Sequence, residues 1–190
     1  MIEIQDEGSQ CVALETGIQS GDTVLDYCAG AGGKSLIFAQ IMKDKGKITV
    51  HDISERSLIE LQKRAERANV HCIEVQKPLK SVLYDHVVVD APCSGTGTWR
   101  RCPDARFKLT QEQLSRLVKI QSEILDTVVP FVKQKGKLSY ITCSLTEAEN
   151  SGQVQSFLNR HSDFKCIKEK QYSPYQTKTD GLFVAVLERE

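Results

Sequence analysis

The sequence contains no long apolar run, no C-x-x-C pair and no excess of charge of either sign. No stretch reaches the roughly 18 apolar residues that a membrane-spanning helix needs, which argues against a membrane protein. The first residues, Met1 to Glu7, lack the basic and apolar regions of a secretory signal peptide. We therefore expect a cytoplasmic protein that contacts no membrane.

Cysteine occurs in an odd number, seven, and never at the spacing of a metal-binding pair. This pattern fits neither a disulfide framework nor a zinc site, and a reducing compartment keeps thiols free. We expect neither a structural metal nor a disulfide.

The 25 basic and 25 acidic residues give a formal net charge of zero. Proteins that hold nucleic acid unaided usually carry a basic surface, so the overall field of this chain cannot supply that affinity. Binding of RNA or DNA would need a local basic patch or a separate module. The length of 190 residues and the 40% apolar content suit one domain with a full core.

Strand-like and helix-like segments alternate along the chain, which is the pattern of βαβ units. Strands are predicted at residues 23–27, 47–51, 70–75, 86–90, 137–142, 164–167 and 181–187. Helices are predicted at 34–42 and 54–68, from a capping box at Thr110 to a break at Pro130, and from a capping box at Thr146 to about Asn159. Residues 171–180 are predicted to form a polar loop. The fold class is therefore α/β with a doubly wound, mostly parallel sheet.

Two cysteines follow apolar, β-branched runs directly, at the points where buried strands should end. Cys93 lies in the sequence DAPCSGTG and Cys143 in YITCS. In open α/β sheets ligands bind beyond the carboxyl ends of the strands, so both thiols can face one pocket. The other five cysteines lack this context and are interpreted as packing or incidental residues.

A glycine-rich loop follows the first predicted strand, and an aspartate, Asp52, ends the second. Gly30, Gly32 and Gly33 allow the backbone to approach a ligand at a helix N-terminus. The loop fits neither a P-loop nor a dinucleotide fingerprint, since Cys28 and Ser35 stand where those motifs need glycine. An acidic residue at the end of the second strand is typical of ribose binding, although Asp52 can also cap the next helix.

Six motifs, in this order, resemble the catalytic domain of the RsmB/NOL1/NOP2/Sun family of RNA 5-methylcytosine methyltransferases. They are QDEGS at 5–9, VLDYCAGAGGK at 24–34, DAPCSGTG at 90–97, RCPD at 101–104, TCSL at 142–145 with EN at 149–150, and DGLFVA at 180–185. The resemblance spans nearly the whole chain, and the combination of two cysteines is its most specific part. It implies a Rossmann-like class I methyltransferase fold with seven strands.

The resemblance also implies a function, methylation of cytosine C5 in rRNA or tRNA with S-adenosylmethionine as cofactor. Cys143 would attack C6 of the base, and Cys93 would help to release the product. Lys34 would stabilise the cytosine during attack, and Asp90 would lie near the methyl donor and the base. The residues implied to bind the cofactor are Cys28, Ala29, Gly30, Ala31, Gly32, Gly33, Lys34, Asp52, Arg56, Gln76 and Asp90.

The sequence departs from the family pattern at three positions of the cofactor site. Ala31 stands in place of a proline and Ser35 in place of a threonine. Gln76 follows the third strand, where the family usually has an aspartate near the adenine. We assign Gln76 to the adenine edge because its amide can both donate and accept hydrogen bonds.

A local basic patch lies close to Cys93 in the sequence and is the predicted RNA contact. It consists of Arg100, Arg101, Arg106 and Lys108, beside Trp99. Arginine can bind phosphates, and an aromatic ring can stack on an unpaired base. The alternative is a solvent-exposed loop without a binding role, in which the one tryptophan packs against the protein.

The catalytic domain is expected to span residues 1–190, with residues 1–20 as a lead-in segment. Family members normally carry an N-terminal RNA-binding region, which we expect to be absent here, so either that region was removed or RNA binding resides in a separate module or a partner protein. Two alternatives stay open. DNA cytosine methyltransferases use the cysteine of their P-C motif as nucleophile, which leaves the roles of the two cysteines and a DNA substrate undecided. A catalytically silent module that binds RNA or the cofactor is the second.

Overall fold

A seven-stranded sheet forms the centre of the protein, which is described here by a computed structural model over residues 4–190. The first three residues of the predicted lead-in segment lie outside the described residues. The strands are β1 Thr23–Asp26, β2 Lys47–Val50, β3 Ile73–Val75, β4 Tyr84–Asp90, β5 Val132–Thr142, β6 Phe164–Tyr172 and β7 Leu182–Arg189. The helices are α1 Glu7–Glu15, α2 Gly33–Ile41, α3 Glu55–Arg67, α4 Gln111–Val128, α5 Ser151–Arg160 and α6 Pro174–Thr177.

The strand order β3-β2-β1-β4-β5-β7-β6 places the doubly wound switch point between β1 and β4. Strands β1 to β5 run parallel to one another, and β7 runs antiparallel to both β5 and β6. In such sheets the crevice for ligands lies beyond the carboxyl ends of the strands at the switch point. The loops after β1, β2, β4 and β5 therefore converge on one edge of the sheet.

Alternation along the strands divides the core between the two faces of the sheet. Val88 of β4 belongs to one buried cluster, whereas Val87 and Val89 belong to the other. Successive side chains of a strand point to opposite faces, so a strand buried on both faces is apolar throughout. This is why the uninterrupted valine run of β4 predicts its position in the middle of the sheet.

Of the two predicted capping boxes at helix starts, one is confirmed and the other prediction is wrong. Thr110 accepts a hydrogen bond from the backbone of Gln113, and the Gln113 side chain accepts one from Thr110, as predicted for the start of α4. The predicted break also occurs, since α4 ends at Val128, just before Pro130. The Thr146 pattern does not cap a helix, because Glu149 points into the protein and α5 begins only at Ser151.

Other parts of the prediction differ from the structure in their bounds or in their secondary structure. Strand β3 is shorter than predicted and begins at Ile73. Strand β5 begins at Val132, before the predicted start, and β6 continues to Tyr172 along an exposed edge. The predicted loop at 171–180 contains the short helix α6. Each difference depends on pairing with a neighbouring strand or on a turn. Local runs of apolar residues carry no information about either.

Candidate active site

The two cysteines that the sequence singles out lie side by side. Cys93 follows β4 and Cys143 follows β5, and their sulfur atoms are 3.3 Å apart. The backbone N–H of Cys143 also points at the Cys93 sulfur, at 3.3 Å. Fifty positions of sequence separate the two residues, and the register of β4 with β5 brings them together.

A lysine and an aspartate form an ion pair at the same edge. The Lys34 Nζ atom, in the first turn of α2, lies 2.6 Å from Oδ2 of Asp90 at the end of β4. The Lys34 side chain is only 11% exposed. Burial acts to lower the pKa of Lys34, but the Asp90 carboxylate outweighs it and the pKa is raised. Lys34 is therefore a fixed positive charge near the thiols.

The surroundings of the two thiols make them chemically different. The hydrogen bond from Cys93 lowers the pKa of the Cys143 thiol, and the Lys34 charge acts in the same direction. The same sulfur contact, together with burial, raises the pKa of Cys93. These shifts favour the thiolate form of Cys143 with Cys93 as its S–H donor, against burial and the Asp90 charge, although the geometry of the sulfur contact allows either sulfur to donate. A thiolate, rather than a thiol, is the form that acts as a nucleophile.

A buried glutamate, Glu149, joins the two cysteine loops. Its Oε1 atom accepts hydrogen bonds from the Ser94 backbone N–H at 2.8 Å and from the Gln121 side chain at 3.0 Å. Its Oε2 atom accepts hydrogen bonds from the hydroxyls of Ser94, Ser144 and Thr146. Burial acts to raise the pKa of Glu149, but these donors, Ser144 and Ser94 above all, outweigh it and the pKa is lowered.

Sequence reasoning did not assign Glu149, Gln121 or the two serines to the site. Ser94 adjoins Cys93 and Ser144 adjoins Cys143, so one carboxylate holds both loops. The available signal was the residue pair EN after the T-C-S motif, which the capping-box interpretation of Thr146 obscured. An acidic residue three positions after threonine does not reveal whether its carboxylate turns to the backbone or to the core.

A close backbone contact fastens the Cys93 loop from its other side. The N–H of Gly97 donates to the carbonyl of Cys143 at 2.9 Å, and the N–H of Gly181 donates to the carbonyl of Gly97 at 2.8 Å. A Cβ atom on Gly97 would lie 1.9 Å from the Gly181 carbonyl oxygen. Glycine is therefore required where the DAPCSGTG and DGLFVA segments meet.

The glycine-rich loop and Asp52 form the other part of the edge. The Asp52 carboxylate accepts hydrogen bonds from the N–H of Gly30 and of Ser54, each at 2.8 Å. Gly30 has a positive φ of 52°, and a Cβ atom there would meet nothing within 4 Å. The Arg64 side chain donates to the Ala31 carbonyl at 2.7 Å. The loop is thus held in a shape that leaves space beside Gly30.

Two buried polar atoms near this loop lack hydrogen-bond partners among the described residues. They are Oε1 of Gln76, after β3, and Oδ1 of Asp26, at the end of β1. Burial raises the pKa of Asp26 to about 7. Unpaired buried polar atoms are costly and usually indicate a missing ligand or a functional site. Together with the open space at Gly30, they fit a polar, nucleoside-containing cofactor. Arg56, in the first turn of α3, is exposed.

The predicted basic patch divides into two parts. Arg101 donates from Nε to Asp180 at 2.7 Å, and Arg100 binds Asp180 at 3.2 Å and Asp6 at 3.3 Å. Both guanidinium groups therefore form ion pairs with carboxylates of the protein. Arg106 lies over the Phe107 ring, at 4.5 Å from its centroid, and Lys108 lines a cavity beside Cys93. The RNA-binding role of these residues stays a prediction.

Comparisons with known proteins agree on one family. The family model described as 16S rRNA methyltransferase RsmB/F matches residues 13–188. The chain is 36% identical over 202 residues to ribosomal RNA small subunit methyltransferase B of Photorhabdus laumondii, a match that covers 98% of this chain and 46% of that relative. The chain thus spans about half the length of the relatives it matches.

Solved structures show the same fold. The crystal structure of PH0851 superposes with a TM-score of 0.94 at 28% identity, over 98% of this chain and 47% of that one. The structure of NSun6 from Pyrococcus horikoshii with SFG gives a TM-score of 0.88 at 22% identity, over 97% of this chain and 52% of that one. The predicted Rossmann-like methyltransferase fold is confirmed.

Residues 4–190 contain neither a membrane-spanning helix nor a cluster of metal-binding side chains. No helix there combines the length and the apolar composition needed to cross a bilayer. Nor do three or more His, Cys, Asp or Glu side chains of that part cluster as ligands of a metal ion would.

Proposed function

Because the chain belongs to the 16S rRNA methyltransferase RsmB/F family, we propose that it is a catalytic domain that methylates C5 of cytosine in ribosomal RNA. The observation that carries this proposal is the pair of thiols 3.3 Å apart beside the partly buried Lys34–Asp90 ion pair. Two thiols of unequal pKa suit a reaction in which a sulfur atom both attacks a base and leaves it. An rRNA substrate would place the protein in the cytoplasm.

Cys143 would be the nucleophile, as the cysteine of the T-C-S motif, and the lowered pKa of its thiol supports this role. C5 of cytosine is a weak nucleophile by itself. When the Cys143 thiolate forms a bond to C6, the electrons of the C5–C6 double bond move towards C5 and the ring nitrogen, and C5 becomes nucleophilic. Lys34 would stabilise the negative charge that develops on the base, and Asp90, which pairs with Lys34, would lie near the base and the methyl donor.

S-adenosylmethionine would supply the methyl group as an electrophile bound to positively charged sulfur. Asp52 would accept hydrogen bonds from its ribose, the backbone from Cys28 to Gly33 would surround its methionine end, and Gln76 would meet the adenine. The open space at Gly30 and the unpaired Gln76 Oε1 atom support this assignment.

Cys93 would act at the end of the cycle. After methylation, the C5 proton goes to a base, the C5–C6 double bond re-forms, and the Cys143 sulfur leaves as a thiolate. The S–H of Cys93, 3.3 Å away, would stabilise that departing thiolate by a hydrogen bond. Without Cys93 the leaving group is poorer, so the covalent adduct would persist.

The target base must be unstacked for the sulfur to reach C6, so we propose a single-stranded or flipped cytosine as substrate. RNA affinity beyond what a chain of zero net charge supplies would come from a separate module or a partner protein.

The test is adduct formation on RNA that contains 5-fluorocytidine, with S-adenosylmethionine present. Fluorine cannot leave C5 as a proton does, so the adduct should survive denaturation and migrate slowly on a gel. Cys143→Ala should abolish the adduct. On ordinary RNA, Cys93→Ala should accumulate an adduct that the parent resolves.

Three outcomes would contradict the proposal. An adduct that requires Cys93 and survives Cys143→Ala would reverse the two roles. Preference for DNA of the same sequence would change the substrate class. Absence of both adduct and methyl transfer with the complete rRNA substrate and any required partner would favour a silent binding module.

A further inference from the structure

A cavity of about 430 Å³ opens on the α4 side of Cys93 and has no part in the mechanism above. We call it the Cys93 cavity. The segment Pro103–Phe107 and the residues after it form one wall, and the first turns of α4 form the other. The lining side chains that matter here are Cys93, Lys108, Leu109, Arg116, Leu117 and Ile120.

The cavity combines an apolar wall with two cations. Leu109, Leu117 and Ile120 provide apolar surface, and Lys108 and Arg116 are exposed. Neither cation forms an ion pair with any residue of 4–190, in contrast to Arg100 and Arg101, which bind Asp180. Among the described residues that line the cavity, none is acidic. An anionic ligand with a flat apolar part fits this composition.

Gln113 adds a directed hydrogen-bond donor to the same wall. Its side-chain oxygen accepts from the Thr110 backbone in the capping box, which leaves the amide N–H₂ group for a ligand. Phe107, in the opposite wall segment, is 75% exposed, and Arg106 lies over its ring. Exposed aromatic rings beside cations are typical surfaces for stacking unpaired bases.

We propose that the Cys93 cavity binds a nucleotide that flanks the target cytosine in the RNA strand, a proposal that rests on the proposed function. The base would lie on Leu117 and Ile120, with Gln113 donating to an acceptor on its edge. Lys108 and Arg116 would bind the adjoining phosphates. The cavity begins at Cys93, so its occupant would be the neighbour in sequence of a base held beside the two thiols.

The variant Lys108→Ala/Arg116→Ala tests the phosphate contacts, and Lys119→Ala on the same helix is the matched control. Binding of the chain to a single-stranded RNA with one cytosine is measured over a range of salt concentrations. Each lost phosphate contact lowers the slope of log K against log salt by about 0.7, so the double variant should lose about 1.4 and the control nothing. An unchanged slope in the double variant would overturn the proposal.

The variant Leu117→Trp tests the base contact without changing charge, because the larger side chain fills the cavity. For this variant and the double variant, KM for RNA in adduct formation should rise at least about fivefold while the rate at saturating RNA stays close to that of the parent. Thermal unfolding checks that each variant is folded. An unchanged KM in both would overturn the inference.

Failure of the cavity assignment and failure of the proposed function give different results. If the parent forms no adduct, the proposed function fails, but the salt slope still tests the cavity. If the parent forms the adduct and the variants match Lys119→Ala, the function stands and the cavity assignment fails. Binding of polyglutamate serves as a comparison with binding of RNA. If the double variant loses as much affinity for polyglutamate as for RNA, the cavity binds an acidic protein partner and the nucleotide site is overturned.

Discussion

The loops after β4 and β5 are joined to each other by a dense set of hydrogen bonds, whereas buried oxygen atoms at the end of β1 and after β3 have no hydrogen-bond partner among residues 4–190. In the cysteine half, Glu149 accepts hydrogen bonds from four side chains and one backbone N–H. In the cofactor half, Gln76 and Asp26 each have a buried oxygen with no partner among residues 4–190, and Gly30 borders open space.

This difference corresponds to two tasks at one edge of the sheet. A nucleophile and its hydrogen-bond donor need a fixed separation before the substrate arrives, because catalysis depends on preorganised geometry. A cofactor pocket must offer donors and acceptors that the ligand completes. Under the proposed function, the Glu149 hydrogen bonds are therefore completed by the protein itself, whereas the unpaired oxygens of the cofactor half would be completed by the ligand.

Breaking the Glu149 junction should have the largest effect. Glu149→Ala leaves the buried donors of both cysteine loops unpaired and should lower the free energy of unfolding by about 3 kcal/mol. Glu147→Ala, an exposed neighbour in the same turn, is the matched control. Urea denaturation measures both, and equal stability of the two variants would show that the junction contributes nothing.

The Glu149 charge also predicts a pH dependence. Its pKa in the folded protein lies below its ordinary value of 4.5, so the carboxylate contributes stability that is present above that pH and is lost as the pH falls below it. Glu149→Gln should lose this contribution and show a flatter decline of stability below pH 4.5. Parallel stability curves of the parent and the variant would contradict the shift.

The thiols offer a test of electrostatics within the cysteine half. Cys143 should react with iodoacetamide at lower pH than Cys93, because Cys93 and Lys34 favour its thiolate. Lys34→Met should raise the pKa of Cys143, because a nearby positive charge is lost, and should slow its alkylation near neutral pH. Mass spectrometry of the labelled peptides measures each site, and faster labelling of Cys93 would refute the ionisation order.

Asp52 tests the cofactor half. Asp52→Ala should weaken binding of S-adenosylmethionine by at least about 1 kcal/mol, or about fivefold, because a charge-assisted hydrogen bond is lost. Asp52→Asn keeps an acceptor for Gly30 and Ser54 and should lose less. Calorimetry measures the cofactor affinity of both variants, with Glu55→Ala as an exposed control. Equal affinities of all three variants would show that Asp52 does not belong to the cofactor site.

Gln76 should give the smallest effect and the sharpest contrast between the halves. Gln76→Leu removes the buried unpaired oxygen, so the free energy of unfolding should stay the same or rise. Cofactor binding should weaken by less than about 1 kcal/mol through loss of an adenine contact. A stability loss like that of Glu149→Ala would show that Gln76 is a structural residue.

Sequence reasoning located the strands, the glycine loop and both cysteines, because each depends on a local pattern. The valine run of β4, the Thr110–Gln113 box and the break at Pro130 are all signals within a few residues. It failed at Thr146 and Glu149, where the same local pattern serves a tertiary contact. It also could not foresee that Arg100 and Arg101 are bound by Asp180, about 80 positions further along the chain.

The sequence by itself determined the fold class and the family, since periodicity and motif order reside in the chain. Only the tertiary structure decided that Cys93 and Cys143 approach to 3.3 Å, that Glu149 joins their loops, and that Lys108 and Arg116 share a cavity. These arrangements depend on the register of β4 with β5 and on packing between residues far apart in sequence. Local propensity carries no information about such distances.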